Sequence, residues 1–134
     1  MILVDTCVLI DISANDPTWR DWSIGQLAAW SLRGPLIINP MIFAEWCSDF
    51  ASLEKAVSAL NQFGLQWAEM PHAALYLAAQ AHLRYRRRGG SRAMVLPDFL
   101  IGAHAATQGW PLLTRDRRRF DACFNRLEIV APPS

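Results

Sequence analysis

Residues 1 to 6 read MILVDT, and this short stretch decides the fold. Three apolar residues, Ile2 to Val4, are followed at once by the acid Asp5 and the polar residue Thr6. A short, continuous apolar run is typical of a strand that is buried on both faces of a parallel sheet. In such sheets, ligands bind beyond the carboxyl ends of the strands. We therefore predict a central first strand at 2–5, with Asp5 at the edge where a site can form.

The rest of the chain alternates short apolar runs with amphipathic segments, which favours an α/β fold. Further strands are predicted at 36–38, 65–67, 112–114 and 127–130. Helices are predicted at 17–33, from Pro40 onward, and at 53–63, 71–87 and 97–108. We expect one domain over residues 1–134, with a central parallel sheet of about five strands and helices on both faces. Residues 132–134 are expected to form a loose tail.

Composition narrows the class of protein. A chain of 134 residues with 52% hydrophobic residues has the size and apolar content of one globular domain. No run of ~18 apolar residues is present, so we expect no membrane span. The N-terminus lacks the pattern of a secretion signal. The 3 cysteines are odd in number and far apart, which fits a reducing cytoplasm better than a disulfide framework.

Four acids occupy positions that can meet at one edge of the sheet. Asp5 ends the first strand, and Asp116 follows the fourth strand by two residues. Asp98 is at the start of a helix opened by Pro97, where exposed helix N–H groups favour a carboxylate. Glu45 is on the helix that follows the second strand, between apolar neighbours. We predict that these four side chains converge.

Converging carboxylates repel one another, and a bound cation would offset this repulsion. Each pair repels by about 1 kcal/mol at 4 Å in water, and by more when partly buried. Oxygen ligands without histidine or cysteine select Mg²⁺ or Mn²⁺ rather than Zn²⁺. A bound ion of this kind lowers the pKa of a water molecule and neutralises charge on a phosphate. The pattern therefore indicates a metal-dependent hydrolase of phosphodiester bonds, with one metal or two.

Four segments in order, VDTCVLID at 4–11, NPMIFAE at 39–45, LPDFLIGAHA at 96–105 and LLTRD at 112–116, resemble a known family. They are similar to the PIN-domain ribonucleases, and specifically to the VapC toxins of bacterial toxin–antitoxin pairs. The resemblance implies an endoribonuclease that depends on Mg²⁺, with Mn²⁺ as a substitute. It also implies a homodimer and a small antitoxin protein that blocks the site.

The resemblance also assigns roles to individual residues. The family's metal-binding and catalytic acids correspond to Asp5, Glu45, Asp98 and Asp116, of which the last is the most variable position. Thr6 and Thr114 correspond to small polar residues that support the site. Cys7 stands where the family often has asparagine or serine.

Arginine dominates the basic residues, since all but one of the 13 are arginine. Its planar fork suits phosphate better than lysine does. We predict RNA contacts from two clusters, which contain Arg86, Arg87 and Arg92, and Arg115 and Arg117. A plainer explanation of the first cluster is that cations favour the C-terminus of a helix.

Other polar residues are expected to lie outside the site. Asp11 and Asp121 are predicted to be solvated or to cap helices, and Asp49 is predicted to lie on the surface. His104 is six residues beyond Asp98, on roughly the opposite side of its helix, so we assign it a structural role.

Two alternatives to a ribonuclease stay open at this stage. The first is a catalytically silent RNA-binding or regulatory module on the same fold, which would gain nothing from clustered negative charge. The second is a phosphatase of the haloacid-dehalogenase type, which also has an aspartate after its first strand. Those enzymes place a second aspartate two residues later, where this chain has Cys7.

Overall fold

The computed structural model describes residues 1–133, so Ser134 of the predicted tail lies outside the described residues. Within this range, no helix is both long enough and apolar enough to cross a membrane. The described chain forms five strands: β1 (Ile2–Val4), β2 (Leu36–Ile38), β3 (Leu65–Trp67), β4 (Leu112–Leu113) and β5 (Ile129–Val130). It also forms seven α-helices: α1 (Thr6–Ser13), α2 (Arg20–Ser31), α3 (Pro40–Trp46), α4 (Leu53–Gln62), α5 (His72–Arg87), α6 (Leu96–Gln108) and α7 (Arg117–Asp121).

The strands form one parallel sheet in the order β3-β2-β1-β4-β5, with β1 in the centre. Leu3 pairs with Ile37 on one side and with Leu112 on the other. From β1 the chain moves first toward β3 and later toward β5. Because crossovers between parallel strands are right-handed, the two directions place helices on opposite faces. The predicted α/β fold is confirmed, and the strand order reverses between β1 and β4, where ligands bind in such sheets.

The core is built on the central strand. Ile2, Leu3 and Val4 are completely buried between the helical layers, as are the large side chains of Trp46 and Phe99. Burying an aliphatic or aromatic side chain of this size stabilises a fold by roughly 1.5–3 kcal/mol. The apolar run that predicted a central strand therefore also anchors the carboxyl edge, where Asp5 begins.

Helix α1 begins immediately after β1 and was not predicted. Asp5 is its N-cap, and the Asp5 carboxylate accepts a hydrogen bond from the backbone N–H of Thr6 at 2.8 Å. Its buried positions are Thr6, Val8, Leu9 and Asp11, so polar and apolar side chains share the buried face and the apolar residues do not form one stripe. A helix of this kind has no amphipathic period by which a sequence would reveal it.

Helix α2 begins at Arg20, so the predicted start at residue 17 is wrong. The Asp16 carboxylate accepts hydrogen bonds from the backbone N–H groups of Thr18 at 2.9 Å and Trp19 at 2.8 Å. Aspartate side chains that bond the backbone two residues ahead form turns of this kind. These bonds lower the pKa of Asp16. Asp16 therefore holds a turn between α1 and α2.

Helix α3, which carries Glu45, begins with a cap and a proline. The Asn39 side-chain oxygen accepts a hydrogen bond from the backbone N–H of Ile42 at 2.8 Å, and Pro40 is at the first helical position. The Asn39 amide nitrogen lies 3.0 Å from Nδ1 of His104, which is completely buried. His104 thus supports the start of α3 from the core, which agrees with the structural role predicted for it.

Candidate active site

Asp5 lies at the bottom of the candidate site, and only 2% of its surface is exposed. Its Oδ2 atom accepts a hydrogen bond from the Thr114 hydroxyl at 2.7 Å and from the Cys7 thiol at 3.4 Å. Burial raises the pKa of Asp5, while the Thr114 hydrogen bond and the charge of Arg119 oppose the rise. Strand β1 therefore ends in a carboxylate held in a fixed orientation by its own helix and by the segment after β4.

Glu45 faces the same space from α3. Its Oε1 atom accepts a hydrogen bond from the Thr6 hydroxyl at 2.7 Å, and the side chain is half-buried. Burial raises the pKa of Glu45, and the negative charges of Asp5 and Asp98 raise it further. The Thr6 hydrogen bond lowers this pKa but does not cancel the rise. Thr6 thus links the first and second acids, one through its backbone and the other through its side chain.

Asp98 lies in the first turn of α6 and is 4% exposed. Its Oδ2 atom accepts a hydrogen bond from the backbone N–H of Val95 at 3.0 Å, which closes the start of the helix. Its Oδ1 atom accepts a hydrogen bond from Nη1 of Arg119 at 2.5 Å. A carboxylate in the first turn also gains roughly 0.3–1 kcal/mol from the helix dipole.

Asp116 lies at the rim, with a side chain that is 48% exposed. It is the N-cap of α7, and its Oδ1 atom accepts a hydrogen bond from the backbone N–H of Arg119 at 3.3 Å. Its own backbone N–H donates to the Thr114 hydroxyl at 3.2 Å. Since that hydroxyl donates to Asp5, Thr114 joins the first and fourth acids.

Arg119 is a site residue that the sequence did not single out from the other arginines around Asp116. Its Nη1 atom contacts Asp98 at 2.5 Å, its Nη2 atom lies 3.7 Å from Asp5, and its Nε atom lies 3.3 Å from Asp116. Burial lowers the pKa of Arg119, but Asp5 and the neighbouring acids outweigh it and leave the pKa above its ordinary value. The only signal in the sequence was a basic residue three positions after Asp116, among several other arginines.

Cys7 takes part in the polar network despite its departure from the family pattern. Its thiol lies 3.6 Å from the Thr114 hydroxyl and accepts from the backbone N–H of Arg115 at 3.5 Å. Burial, and then the charge of Asp5, raise the pKa of the Cys7 thiol to about 12. Cys7 therefore remains protonated at neutral pH, and it donates to the Asp5 carboxylate where a serine or asparagine could do the same.

The predicted acids therefore surround a cation that belongs to the chain itself. Three of them contact Arg119, and Thr6 and Asp5 couple Glu45 to the same cluster. In residues 1–133, no group of three or more histidine, cysteine, aspartate or glutamate side chains is arranged to hold a metal ion. The donors are nonetheless all carboxylate oxygens, and one guanidinium balances only part of their charge. This donor set fits a hard dication such as Mg²⁺.

Arg115, which was predicted to contact RNA, is bound to a buried acid. Its Nε atom donates to Asp11 Oδ2 at 2.8 Å, and Ser23 donates to the same oxygen at 2.8 Å. Asp11 is only 1% exposed, so the expectation of a solvated or capping residue is wrong. The Arg115 guanidinium also lies over the Trp19 ring, 5.5 Å from its centroid. Arg115 thus joins α1 and α2 to the segment after β4.

A cleft of about 590 Å³ adjoins the rim of the site at Asp116. Its walls include Trp19, Arg117 and Arg118. Arg117 also donates to the backbone carbonyl of Ile129 at 3.0 Å, which holds the start of α7 against β5. The cleft therefore presents arginines and an aromatic ring, together with the acids Asp116 and Asp121, next to the site.

The other predicted arginines lie apart from the acids. Arg86 and Arg87 are exposed at the end of α5, and Arg92 is exposed in the following loop. Arg86 and Arg92 line a separate cleft of about 480 Å³, which extends to Leu96 at the start of α6. Across the described chain, none of the three forms an ion pair with a site acid.

The sequence matches the PIN domain family over residues 2–125. The chain belongs to the PIN domain family. The matched span contains every acid of the candidate site and Arg119, so the resemblance predicted from four short segments is confirmed at the level of the family. No curated protein matches the sequence.

Solved structures show the same fold. A chain of the VapBC2 complex from Rickettsia felis, bound to promoter DNA, has a TM-score of 0.77 and 19% identity. The match covers 99% of this chain and 100% of that one. A chain of DNA-bound VapBC from Salmonella typhimurium has a TM-score of 0.74 and 19% identity, covering 97% of this chain and 96% of that one. VapC20 from Mycobacterium tuberculosis, a toxin that cleaves the sarcin–ricin loop, has a TM-score of 0.66 and 16% identity. The match covers 98% of this chain and 100% of VapC20. This PIN domain therefore has the fold seen in VapC toxin structures.

Proposed function

We propose that this PIN domain is a divalent-metal-dependent endoribonuclease and acts as the toxin of a toxin–antitoxin pair. The observation that carries the proposal is the meeting of four carboxylates at the carboxyl edge of β1 and β4 around a single guanidinium. An excess of negative charge at a partly buried site is costly unless a cation offsets it. A nuclease that binds a dication gives this charge a use.

Mg²⁺ is the proposed cofactor, and Mn²⁺ would substitute for it. The side chains of Asp5, Glu45, Asp98 and Asp116 would hold the ion, directly or through water. When bound, an ion of this kind lowers the pKa of water and neutralises charge that grows on a phosphate. The protein's own contribution is to fix the carboxylates in advance, and Thr6 and Thr114 do this through 2.7 Å hydrogen bonds.

The proposed reaction is hydrolysis of an RNA phosphodiester bond. One of the site carboxylates accepts a proton as water attacks the phosphorus. The P–O3′ bond breaks, and the 3′ oxygen takes up a proton from solvent, so the products are a 5′-phosphate and a 3′-hydroxyl. Because attack requires the phosphate to reach the cluster, the substrate strand must pass the rim formed by Asp116, which is the most exposed of the three acids that contact Arg119.

The arginine-lined cleft beside Asp116 offers a path for that strand. Arg117 and Arg118 line it and are exposed, while Trp19 presents an aromatic surface next to Arg115. Arginine forks bind phosphate, and unpaired bases stack on aromatic rings. A longer substrate could also reach the second cluster, which comprises Arg86, Arg87 and Arg92.

The proposed partners follow from the solved complexes of the same fold. The Rickettsia felis and Salmonella typhimurium structures are VapBC assemblies, and a structure from Klebsiella pneumoniae is a toxin–antitoxin complex. We infer that a small antitoxin protein binds this chain and blocks the site. We also infer a homodimer that acts on RNA in the cytoplasm.

The direct test is cleavage of RNA by purified protein in the presence of Mg²⁺ or Mn²⁺, followed by sequencing of the cut ends. Wild type should release fragments with 5′-phosphates, and a chelator should stop the reaction. Asp98→Asn should be inactive, whereas Asp49→Asn, which changes an exposed acid one helical turn after Glu45, should cut normally. Absence of cleavage by folded wild type with either metal would reject the proposal.

A second candidate is a catalytically silent RNA-binding or regulatory PIN module. The observation that favours it is Arg119, which already neutralises part of the carboxylate cluster. This candidate predicts that folded wild-type protein retains labelled RNA on a filter with either metal and leaves it uncut. Its expression would then leave cell growth unchanged, whereas a toxin would arrest growth until an antitoxin is co-expressed.

A further inference from the structure

Arg119 holds a position that a metal ion would also need. Its three guanidinium nitrogens lie within 3.7 Å of carboxylate oxygens from three separate elements, at the ends of β1 and β4 and at the start of α6. The contact with Asp98 is a short, charge-assisted hydrogen bond to a carboxylate that is almost fully buried. An oxygen that accepts a bond from Nη1 cannot at the same time be a direct ligand of an ion on the same side.

The chain offers Arg119 an alternative position. Arg119 is on α7, a helix of only five residues at the rim of the site, and 28% of its side chain is exposed. Its contact with Asp116 is local, because the two residues are three positions apart at the start of the same helix. The guanidinium can therefore leave the inner acids by rotating its side chain, without unfolding the helix or losing the outer acid.

We propose that Arg119 is a positioning residue with two alternating partners. When no metal is bound, it pairs with the inner carboxylates Asp5 and Asp98. When metal is bound, it pairs with the RNA phosphate. This inference rests on the proposed function and adds a residue outside the family's four acids. In the first state, Arg119 occupies the carboxylate oxygens and lowers the affinity of the site for a dication. Metal binding releases the guanidinium toward the rim, where the phosphate of the substrate approaches.

The order of events follows from the charges. A dication offsets the cluster better than one guanidinium does, so metal displaces Arg119 at sufficient concentration. The released guanidinium then presents a planar fork beside the site, which binds phosphate oxygens in two hydrogen bonds. Without Arg119, the carboxylates should take metal more readily and RNA less readily. This opposite effect on the two ligands separates the proposed role from a purely structural one.

The test is Mn²⁺ binding by calorimetry in the absence of RNA, with wild type, Arg119→Gln and a control, Arg126→Gln, that removes an exposed arginine outside the site. Arg119→Gln should bind Mn²⁺ about tenfold more tightly, which is the scale of one lost charge-assisted hydrogen bond. Arg126→Gln should match wild type. Unchanged or weaker Mn²⁺ binding by folded Arg119→Gln would overturn the proposal.

A second measurement addresses the phosphate partner. With Mn²⁺ saturating, KM for RNA should rise about tenfold in Arg119→Gln, the scale of one lost charge-assisted hydrogen bond. Arg119→Lys retains one cation and should give intermediate values for both ligands. An unchanged KM would also overturn the proposal. If wild type binds Mn²⁺ but cuts no RNA, the proposed ribonuclease fails while the metal competition at Arg119 is still decided by calorimetry.

Discussion

Two arginines four residues apart bind buried aspartates with opposite consequences. Arg115 pairs with Asp11 at 2.8 Å, and the Ser23 hydroxyl donates a hydrogen bond to the same carboxylate. Arg119 faces Asp5, Asp98 and Asp116 at once. The first aspartate has one cation to itself, whereas the acids of the second group share one. Both groups contain buried aspartates, but only the first is balanced in charge.

The difference shows that charge balance separates the structural ion pair, Asp11 with Arg115, from the acid cluster of the candidate site. A matched and hydrogen-bonded buried pair holds segments together, and removing one partner leaves a buried charge without compensation. An unmatched cluster carries repulsion of about 1 kcal/mol per pair in water and about 4 kcal/mol at an effective dielectric constant of 20. In the proposed function, a bound dication offsets this repulsion. Mutations in the two groups should therefore affect different quantities.

The largest expected effect is on cleavage. Asp98→Asn should lower kcat/KM by about 100-fold or more, since even outer-shell partners of metal ligands account for 10–100-fold. Initial rates on a labelled RNA at saturating Mn²⁺ measure the loss. The free energy of unfolding should fall little, because the substitution also relieves repulsion. Normal cleavage by Asp98→Asn would contradict a functional role for the acids around Arg119 and leave them no different from the Asp11–Arg115 pair.

The next effect is on stability and comes from the balanced pair. Asp11→Asn should lower the free energy of unfolding by about 2 kcal/mol, less than the 3–5 kcal/mol of a fully buried pair because Arg115 is 30% exposed. Urea unfolding followed by tryptophan fluorescence measures the change. Cleavage per folded molecule should stay close to wild type. A large loss of activity with intact stability would place Asp11 in the site instead.

Metal addition should stabilise only the protein whose unbalanced cluster is intact. Mn²⁺ at ten times its Kd should raise the free energy of unfolding by about 1.4 kcal/mol in wild type, because it binds the folded state alone. The same increase is expected in Asp11→Asn, and almost none in Asp5→Asn. Thermal unfolding with Mn²⁺ and then with a chelator gives the comparison. Equal stabilisation of all three proteins would mean that the ion binds elsewhere.

The smallest effect concerns a buried polar group that belongs to neither cluster. Burial lowers the pKa of His104, so the unfolded chain takes up a proton first as pH falls. The histidine therefore supports full stability above its unfolded pKa of about 6.5, and this support is lost as pH drops toward the folded value. We expect wild type to lose about 1 kcal/mol between pH 7 and pH 5.5. His104→Asn keeps an acceptor for Asn39 and should show a flatter profile in urea unfolding.

Much of this fold could be predicted from local patterns. Short apolar runs located β1 and β4, the cap and proline Asn39-Pro40 located the start of α3, and Pro97 located the start of α6 to within one residue. The same patterns brought Asp5, Glu45, Asp98 and Asp116 to one edge of the sheet, because parallel strands end on the same side. The sequence missed α1, whose buried face includes the polar residues Thr6 and Asp11, and α7, whose five residues are too few to show a helical period.

What the sequence by itself determined is the sheet and the edge at which its acids meet, since both follow from residue type and spacing along the chain. What only the tertiary structure decided is how those acids are paired. Arg115 and Arg119 are only four positions apart, yet Arg115, which precedes α7, pairs with Asp11, and Arg119, which is on α7, pairs with the site acids. Pairing of charges depends on distances between segments that are far apart in sequence. A local pattern contains no information about those distances.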